Sequence, residues 1–408
     1  MKRSIIICTA IIGASAVAKA DLYYVGDEAL DSIPIKWTVG ANLVYDDNVL
    51  AGSNRIGSFP KEDSLAINPY VGASWVNVTP QTTVDVYARL GMVYYFDAPT
   101  GANDANSQSR LGLNLTHRFS ERLRWVSRNF VAYELEPDYS RGYANSRIAD
   151  EYFYWQTQNA LGFRWTERFA TYTGFTLTGV DYGSSNDNDR FTWGLNNEFR
   201  YQVTEQTVAT LDYRYRDTNA SGVGRDSKDQ FVLLGVEHRF SPNTVGVFRA
   251  GLQHRDVSGG KDNTRPSVEF ALNSQVNDQL RVRAFTRYSM ESYDTVRLAN
   301  SGALLDFDQR QTLRVGVSAE YMLSPQLSIN GGVDYIFTNY KDGVVLANPA
   351  NVPSSPSDDI INLYVGVSYQ FTDYLFGTLS YNFSDSSSDL AGRDYSRNRV
   401  SVGVRAEF

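Results

Sequence analysis

The sequence predicts an all-β protein, an antiparallel up-and-down transmembrane β-barrel of about 18 strands, within a range of roughly 16–18. Three observations predict it: apolar and polar residues alternate along extended segments, a short polar turn recurs at even intervals, and longer polar loops separate these turns. The mean hydropathy of -0.35 agrees with a barrel, because only alternate residues of a membrane-crossing strand face lipid.

The N-terminus resembles a targeting segment. Two basic residues and a short apolar run precede Ala18-Lys19-Ala20, an arrangement typical of a secretory signal peptide. We therefore expect three parts: a signal peptide at residues 1–20, a short periplasmic segment at 21–34 and a single barrel at 35–408. The only cysteine is Cys8, so a cleaved chain would contain no disulfide and no cysteine-based site.

Strict alternation runs through most of the chain after the N-terminus. It is clearest over residues 396–408 and recurs over Val84–Phe96 and Leu313–Leu323. A period of two indicates a strand with one apolar and one polar face. A dozen residues or more suit a membrane-crossing strand better than the ~5–6 residues usual in soluble sheets. Two segments, Arg122–Glu134 and Val245–Asp256, mix the two faces.

Short turns give the strand count. Eight short polar turns recur at Thr79–Gln81, Ser120–Arg122, Thr166–Arg168, Thr204–Gln206, Ser241–Asn243, Asn277–Gln279, Ser324–Gln326 and Thr372–Tyr374. They join sixteen strands, and a first and a last strand flank them, which gives about eighteen. Short turns on one rim and long loops on the other are typical of outer-membrane barrels, with the turns in the periplasm and the loops outside the cell.

Charged residues fall on the polar face. Arginine at the bilayer midplane costs ~2–4 kcal/mol, so these side chains should face a hydrated lumen. The candidate pore-lining residues are Arg89, Arg110, Arg200, Glu198, Arg214, Arg314, Glu320, Arg399 and Arg405. Two interpretations stay open. The arginines could orient anionic or polyhydroxylated solutes, or they could pair with carboxylates of neighbouring strands and stiffen the wall. Mixed signs favour pairing for any single arginine.

Composition argues against other classes of function. The formal charge of -8 is scattered along the chain, which disfavours nucleic acid as a partner. His117 and His238 fall on the apolar face beside short turns, as interface residues do. His254 lies near an extracellular strand end without a companion nucleophile. We therefore expect no enzyme, no catalytic residue, no cofactor and no metal site.

A family resemblance rests on one local motif, Tyr45-Asp46-Asp47-Asn48, and on the end of the chain. The segment Val44–Val49 (VYDDNV) and the final Arg405–Phe408 (RAEF) resemble bacterial outer-membrane proteins of the putative β-barrel porin 2-like family. The resemblance extends as a pattern over most of the chain, and it implies an outer-membrane barrel, associated in some members with exopolysaccharide export. Phe408 also resembles the C-terminal signal that the barrel assembly machinery reads. The resemblance identifies no solute-binding residue.

The leading hypothesis is an integral outer-membrane protein of a Gram-negative bacterium that forms a passive channel. It would pass small hydrophilic solutes, or a polysaccharide moving outward. The alternative is a barrel plugged by Glu136–Asp150 or Lys341–Asp358, acting as a surface binding or structural protein. The expected partners are outer-membrane lipid and lipopolysaccharide, the assembly machinery through Phe408, polysaccharide export proteins and a second copy of the chain.

Overall fold

The computed structural model describes residues 32–52, 61–100, 103–135, 151–182, 189–221, 224–291, 296–297, 303–347 and 354–408. In these ranges the strands are β1 (Ile33–Asp46), β2 (Ser64–Val78), β3 (Thr82–Tyr95), β4 (Ala105–Arg118), β5 (Leu123–Glu134), β6 (Tyr152–Arg164), β7 (Phe169–Tyr182), β8 (Arg190–Thr204), β9 (Thr207–Ala220), β10 (Ser227–Ser241), β11 (Thr244–Val257), β12 (Asn263–Gln275), β13 (Leu280–Met290), β14 (Val296–Arg297), β15 (Leu304–Met322), β16 (Leu327–Ala347), β17 (Ser357–Gln370), β18 (Leu375–Ser388) and β19 (Tyr395–Glu407). None of these residues belongs to a helix that is long and apolar enough to cross a membrane.

Eighteen strands form a closed antiparallel barrel, as predicted. Each pairs with its neighbours in sequence, and β1 pairs with β19 to complete the circle. The two-residue β14 pairs only with the first residues of β15. Since β13 pairs directly with β15, β14 lies outside the barrel wall. Closure satisfies the backbone of every wall strand, which a bilayer requires because its hydrocarbon offers no hydrogen-bonding partner.

All eight predicted short turns connect successive strands on one rim of the barrel. In several, a hydroxyl closes the turn: the backbone N–H of Leu123 donates to Ser120 Oγ at 3.0 Å, and that of Leu375 donates to Thr372 Oγ1 at 3.0 Å. Serine and threonine favour turns for this reason. The recurring turn residues in the sequence therefore marked the strand boundaries correctly.

The predicted loop Lys341–Asp358 is partly strand. β15 and β16 have 19 and 21 residues, and β16 takes in the start of that loop. They continue beyond the end of β13 on the extracellular side. Here Leu305, Phe307 and Tyr340 are buried together, which gives the extension a small apolar core. The predicted signal peptide, most of residues 21–34 and loop Glu136–Asp150 lie outside the described residues.

The two faces of the barrel differ in their side chains. Large apolar residues such as Trp37, Leu234 and Val402 are more than half exposed on the outer face, which matches a lipid-facing surface. On the inner face, aromatic rings lie flat over glycines of the adjacent strand: a Cβ added to Gly112 would overlap the ring of Tyr87. Such glycines let bulky residues pack along the wall.

Candidate functional site: the barrel lumen

Alternate residues of the strands face a common interior. A cavity of about 670 Å³ lies inside the barrel, and residues from β3 to β17 line it, including Tyr87, Arg128, Arg214, Glu269 and Tyr364. The two charged regions described below both contribute to its lining. Their fields therefore act on the same enclosed space.

All nine sequence-predicted residues lie on the face opposite the exposed apolar side chains. The register places Arg89 opposite Arg110 and Arg399 opposite Asp46, while Arg405 faces Gly40 and Glu320 faces Arg281. Their environments differ, because the side chains of Arg200 and Arg314 are 0% and 1% exposed and that of Arg110 is 34% exposed. That these nine residues line a water-filled path stays a prediction.

Five arginines and five carboxylates on β8 to β15 form one group, here called the ion-pair belt (Glu198, Arg200, Asp212, Arg214, Glu237, Arg249, Glu269, Arg287, Glu291 and Arg314). Arg200 donates to Glu198 at 2.6 Å and to Glu237 at 2.8 Å. Arg214 donates to both carboxylate oxygens of Glu269, at 2.7 and 3.0 Å. Such paired guanidinium contacts are the strongest class of protein hydrogen bond.

Arg249 connects the parts of the belt. Its guanidinium nitrogens lie 3.4 Å from Asp212, 3.7 Å from Glu198 and 4.0 Å from Glu269. On β15, Arg314 donates to both oxygens of Glu291, at 2.9 and 2.8 Å. Because positive and negative groups are equal in number, the belt is neutral. For Arg200, Arg214 and Arg314 the structure thus favours the pairing interpretation of the sequence.

A second region is rich in one sign of charge. Six arginines of β3 to β6 share the inner face and are here called the arginine arc (Arg89, Arg110, Arg118, Arg124, Arg128 and Arg164). The inner faces of the same strands contribute two carboxylates, Asp85 and Glu134. Arg110 forms an ion pair with Glu134. Six positive groups against two negative ones leave the arc with a formal excess of four.

Aromatic residues lie beside the arc toward the extracellular side. Tyr152 and Tyr154 are buried together, with Phe130, Val180 and Tyr182 packed against them. All five have inward-facing positions in the register of β5 to β7. This part of the lumen therefore joins apolar rings to a cationic surface.

The β15–β16 extension contacts loops of other strands. Arg225, between β9 and β10, lies 2.6 Å from Asp306 and 2.7 Å from Asp308. The backbone N–H of Lys261 also donates to Asp308, at 2.9 Å. Burial alone would raise the pKa of Asp306, but Arg310 and Arg225 outweigh it and hold that pKa below its ordinary value. These contacts join the extension to the segment before β10 and to the segment between β11 and β12.

The histidines lie on the outer face. His117 hydrogen-bonds to Thr82 at 2.7 Å, and its ring meets Phe119 edge-on with centroids 4.6 Å apart. His238 repeats this with Thr207 at 2.9 Å and Phe240 at 4.7 Å. Both positions agree with the prediction of interface residues. His254 is exposed and hydrogen-bonds to Thr264 at 3.0 Å, facing away from the lumen.

Six of the ten belt members are absent from the nine candidates predicted from the sequence. Glu237, Glu269 and Glu291 pair with arginines on other strands, at sequence separations of 37, 55 and 23 residues. Arg249 lies in the segment Val245–Asp256 that alternation left unassigned. The structure gives the reason, because Val247 is buried on the inner face beside these charges. The signal available in the sequence was that Arg249 and Arg255 are separated by an even number of positions, which places both on the same face of the strand.

Comparisons with known proteins found one family match and several similar solved structures. Residues 308–408 match the family model described as "Putative beta-barrel porin 2". Similar solved structures include OccAB4 of Acinetobacter baumannii (13% identity over 93% of this chain and 99% of that one, TM-score 0.47). OccK1 (OpdK) of Pseudomonas aeruginosa has 12% identity over 92% and 99%, with a TM-score of 0.49. OccK2 (OpdF) of the same species, solved with glucuronate, has 12% over 93% and 99%, with a TM-score of 0.48.

The search of curated proteins found no match. The family match and the closed barrel with its apolar exterior describe a porin-like, integral protein of the outer membrane.

Proposed function

We propose that this protein is a passive outer-membrane channel that favours small hydrophilic anions. The observation that carries the proposal is the arginine arc. Six arginines and two carboxylates share that inner face, and Arg128 borders the cavity. The charges within the ion-pair belt balance, whereas the arc has a formal excess of four positive charges, so the arc adds a positive field to the lumen. A cleft of one charge raises the local concentration of counter-ions.

Barrel size and side-chain chemistry agree with this role. About 16–18 strands enclose a bore wide enough for water unless a loop fills it. Guanidinium groups hydrogen-bond well to carboxylates and phosphates, and they remain charged at every physiological pH. The protein would select by electrostatics along its wall and would perform no chemistry on the solute.

The test is single-channel recording of the purified protein, refolded into a planar bilayer between unequal KCl solutions. We expect stable conductance steps and a reversal potential that shows chloride passing more readily than potassium. Replacing Arg118 and Arg128 by glutamine should lower the chloride-to-potassium permeability ratio by about twofold or more. The matched control is Arg168→Gln, a residue in the exposed β6–β7 turn, which should leave the ratio unchanged.

Two results would contradict the proposal. Absence of conductance from protein with the β-sheet circular dichroism of the folded barrel would exclude an open channel and favour the plugged alternative. Conductance with a preference for potassium would retain the channel and reject its anion selectivity.

A second candidate is outward passage of an acidic polysaccharide. It is favoured by the aromatic group around Tyr152 and Tyr154 beside the arginine arc, because rings offer apolar faces to sugars and arginines bind their carboxylates. An oligouronate added to the recording chamber should then block the chloride current at millimolar concentration, and Tyr182→Ala should weaken the block. A current unaffected by the oligouronate would rule out this candidate but not the small-anion channel.

A further inference from the structure

One part of the outer face carries a cluster of polar side chains at mid-strand, where most of the remaining outer face is apolar. Six outward residues at mid-strand on β5 to β8 are polar and are here called the outer polar patch (Ser127, Asn129, Thr157, Asn159, Thr173 and Asn197). The apolar Phe175 and Leu195 lie beside them on β7 and β8. At mid-strand on β10, β17 and β19 the outward residues are Leu234, Val365 and Val402, exposed to 67%, 44% and 55%. The patch is therefore a local exception on a lipid-facing surface.

The patch lies between the two aromatic girdles. On β5, Trp125 and Tyr133 flank it, and on β8 Trp193 and Tyr201 do so on the same outward positions. Tryptophan and tyrosine concentrate at the two membrane interfaces. The polar groups between them are consequently at the depth of the hydrocarbon, where an amide finds no water.

The polar side chains form a network. Thr157 donates to the Asn129 carbonyl at 2.7 Å, and the Asn159 amide donates to Thr157 at 2.9 Å. The Trp125 indole donates to Asn159 at 3.3 Å, and Asn129 donates to Ser127 at 3.0 Å. An asparagine amide can donate two hydrogen bonds and accept two. These contacts use one donor and one acceptor of Asn159, so further capacity faces outward.

The pair Thr173 and Asn197 extends the patch. Thr173 donates to the Asn197 carbonyl at 3.2 Å, and Thr173 is exposed on β7. Polar groups left against hydrocarbon are costly, whereas the same groups are stabilised when another polar surface covers them. A protein surface inside the membrane can provide that cover.

We propose that the outer polar patch binds a second copy of this chain within the membrane. The patch contains donors and acceptors and no charged group, so it is complementary to a surface of its own kind. In a dimer with twofold symmetry, both copies contribute the same patch to the interface. Strands β5 to β8 have 12, 13, 14 and 15 residues, of which 26 have outward positions, within the ~20–30 per side of a standard interface.

Cross-linking in the intact outer membrane tests the contact directly. The protein carries Cys8→Ser and one new cysteine, either Thr157→Cys in the patch or Thr286→Cys on the outward face of β13. A bis-maleimide reagent should convert the Thr157→Cys protein to a covalent dimer and leave the Thr286→Cys protein monomeric. Equal dimer yields, no dimer from either protein, or linkage of the patch cysteine to a different membrane protein would overturn the proposal.

An apolar patch provides the second test. The variant Asn129→Leu, Thr157→Val and Asn159→Leu replaces the network by residues typical of the remaining lipid face, so the monomer should still fold. Self-association in lipid nanodiscs, measured by single-molecule photobleaching, should weaken by roughly tenfold or more, since each hydrogen bond between membrane segments contributes about threefold. Thr286→Val is the matched control. Unchanged association of a folded triple variant would overturn the proposal.

Discussion

The ion-pair belt and the arginine arc contain the same residue in two different roles. In the belt, Arg200 and Glu237 are both fully buried, 2.8 Å apart, and positive and negative groups are equal. In the arc, Arg110 is one-third exposed and arginines outnumber carboxylates by six to two. This difference predicts that an inward-facing arginine stiffens the wall where carboxylates surround it and contributes to the field of the lumen where they are few.

The largest expected effect separates the two regions by stability. Arg200→Leu leaves Glu237 buried without its arginine, and breaking a buried pair in this way costs about 3–5 kcal/mol. Arg128→Leu in the arc should cost less than about 1 kcal/mol of unfolding free energy, because Arg128 borders the cavity. Urea unfolding of the refolded protein in phospholipid vesicles measures both. Equal losses in the two variants would mean that the two regions do not differ.

A double replacement tests whether an unpaired buried charge causes the loss of stability in the belt. Glu291→Leu together with Arg314→Leu removes both charges of a buried pair, so the double variant should lose less unfolding free energy than Arg314→Leu alone. Arg287, the other partner of Glu291, is 34% exposed and can be hydrated. Additive losses, determined by the same urea titration, would contradict the idea that an uncompensated buried charge dominates the cost.

Salt should affect one region and spare the other. Screening shortens from about 10 Å at 0.1 M to about 3 Å at 1 M, so the anion preference attributed to the arc should fall severalfold over this range. The buried pairs of the belt are screened much less, so the urea midpoint should change little. Reversal potentials at a fixed concentration ratio provide the first measurement. An anion preference that is constant with salt would assign selectivity to close contacts instead of the field.

The smallest effect concerns the β15–β16 extension and pH. Because the pKa of Asp306 is lowered in the folded protein, its ion pairs stabilise the extension above its ordinary pKa of about 3.9 and are lost as the pH falls below it. We expect the current noise to rise as the pH falls below about 4. The variant Asp306→Asn should produce the same noise at pH 7. Asp385→Asn, at an exposed outward position, is the control. A quiet Asp306→Asn channel would exclude this role.

The sequence predicted the barrel well because its signals are local. Alternation places every second residue on one face, and turn residues such as Ser120 and Thr372 determine where strands end. The same parity placed Arg89, Arg314 and the other candidates on the inner face. These features depend on neighbours within a few positions, which a sequence displays directly.

The ion pairs within the lumen could not be predicted from the sequence in the same way. Arg214 on β9 contacts Glu269 on β12, and this contact depends on strand register and on the curvature of the closed sheet. The outer polar patch is a related case. Alternation left Arg122–Glu134 unassigned because it assumes an apolar outer face, whereas Ser127 and Asn129 face outward there and Val126 faces inward.

The seam between β1 and β19 has a consequence for the order of assembly. The backbones of Trp37 and Phe408 each donate to the other at 2.9 Å, and Arg397 binds Asp46 across 351 positions of sequence. Until these residues meet, the sheet has two open edges, each with unpaired peptide groups that can recruit other strands. Joining ends so distant in sequence is entropically slow. Folding of this protein therefore places its greatest aggregation hazard immediately before its final step, when a catalyst that guards both edges would matter most.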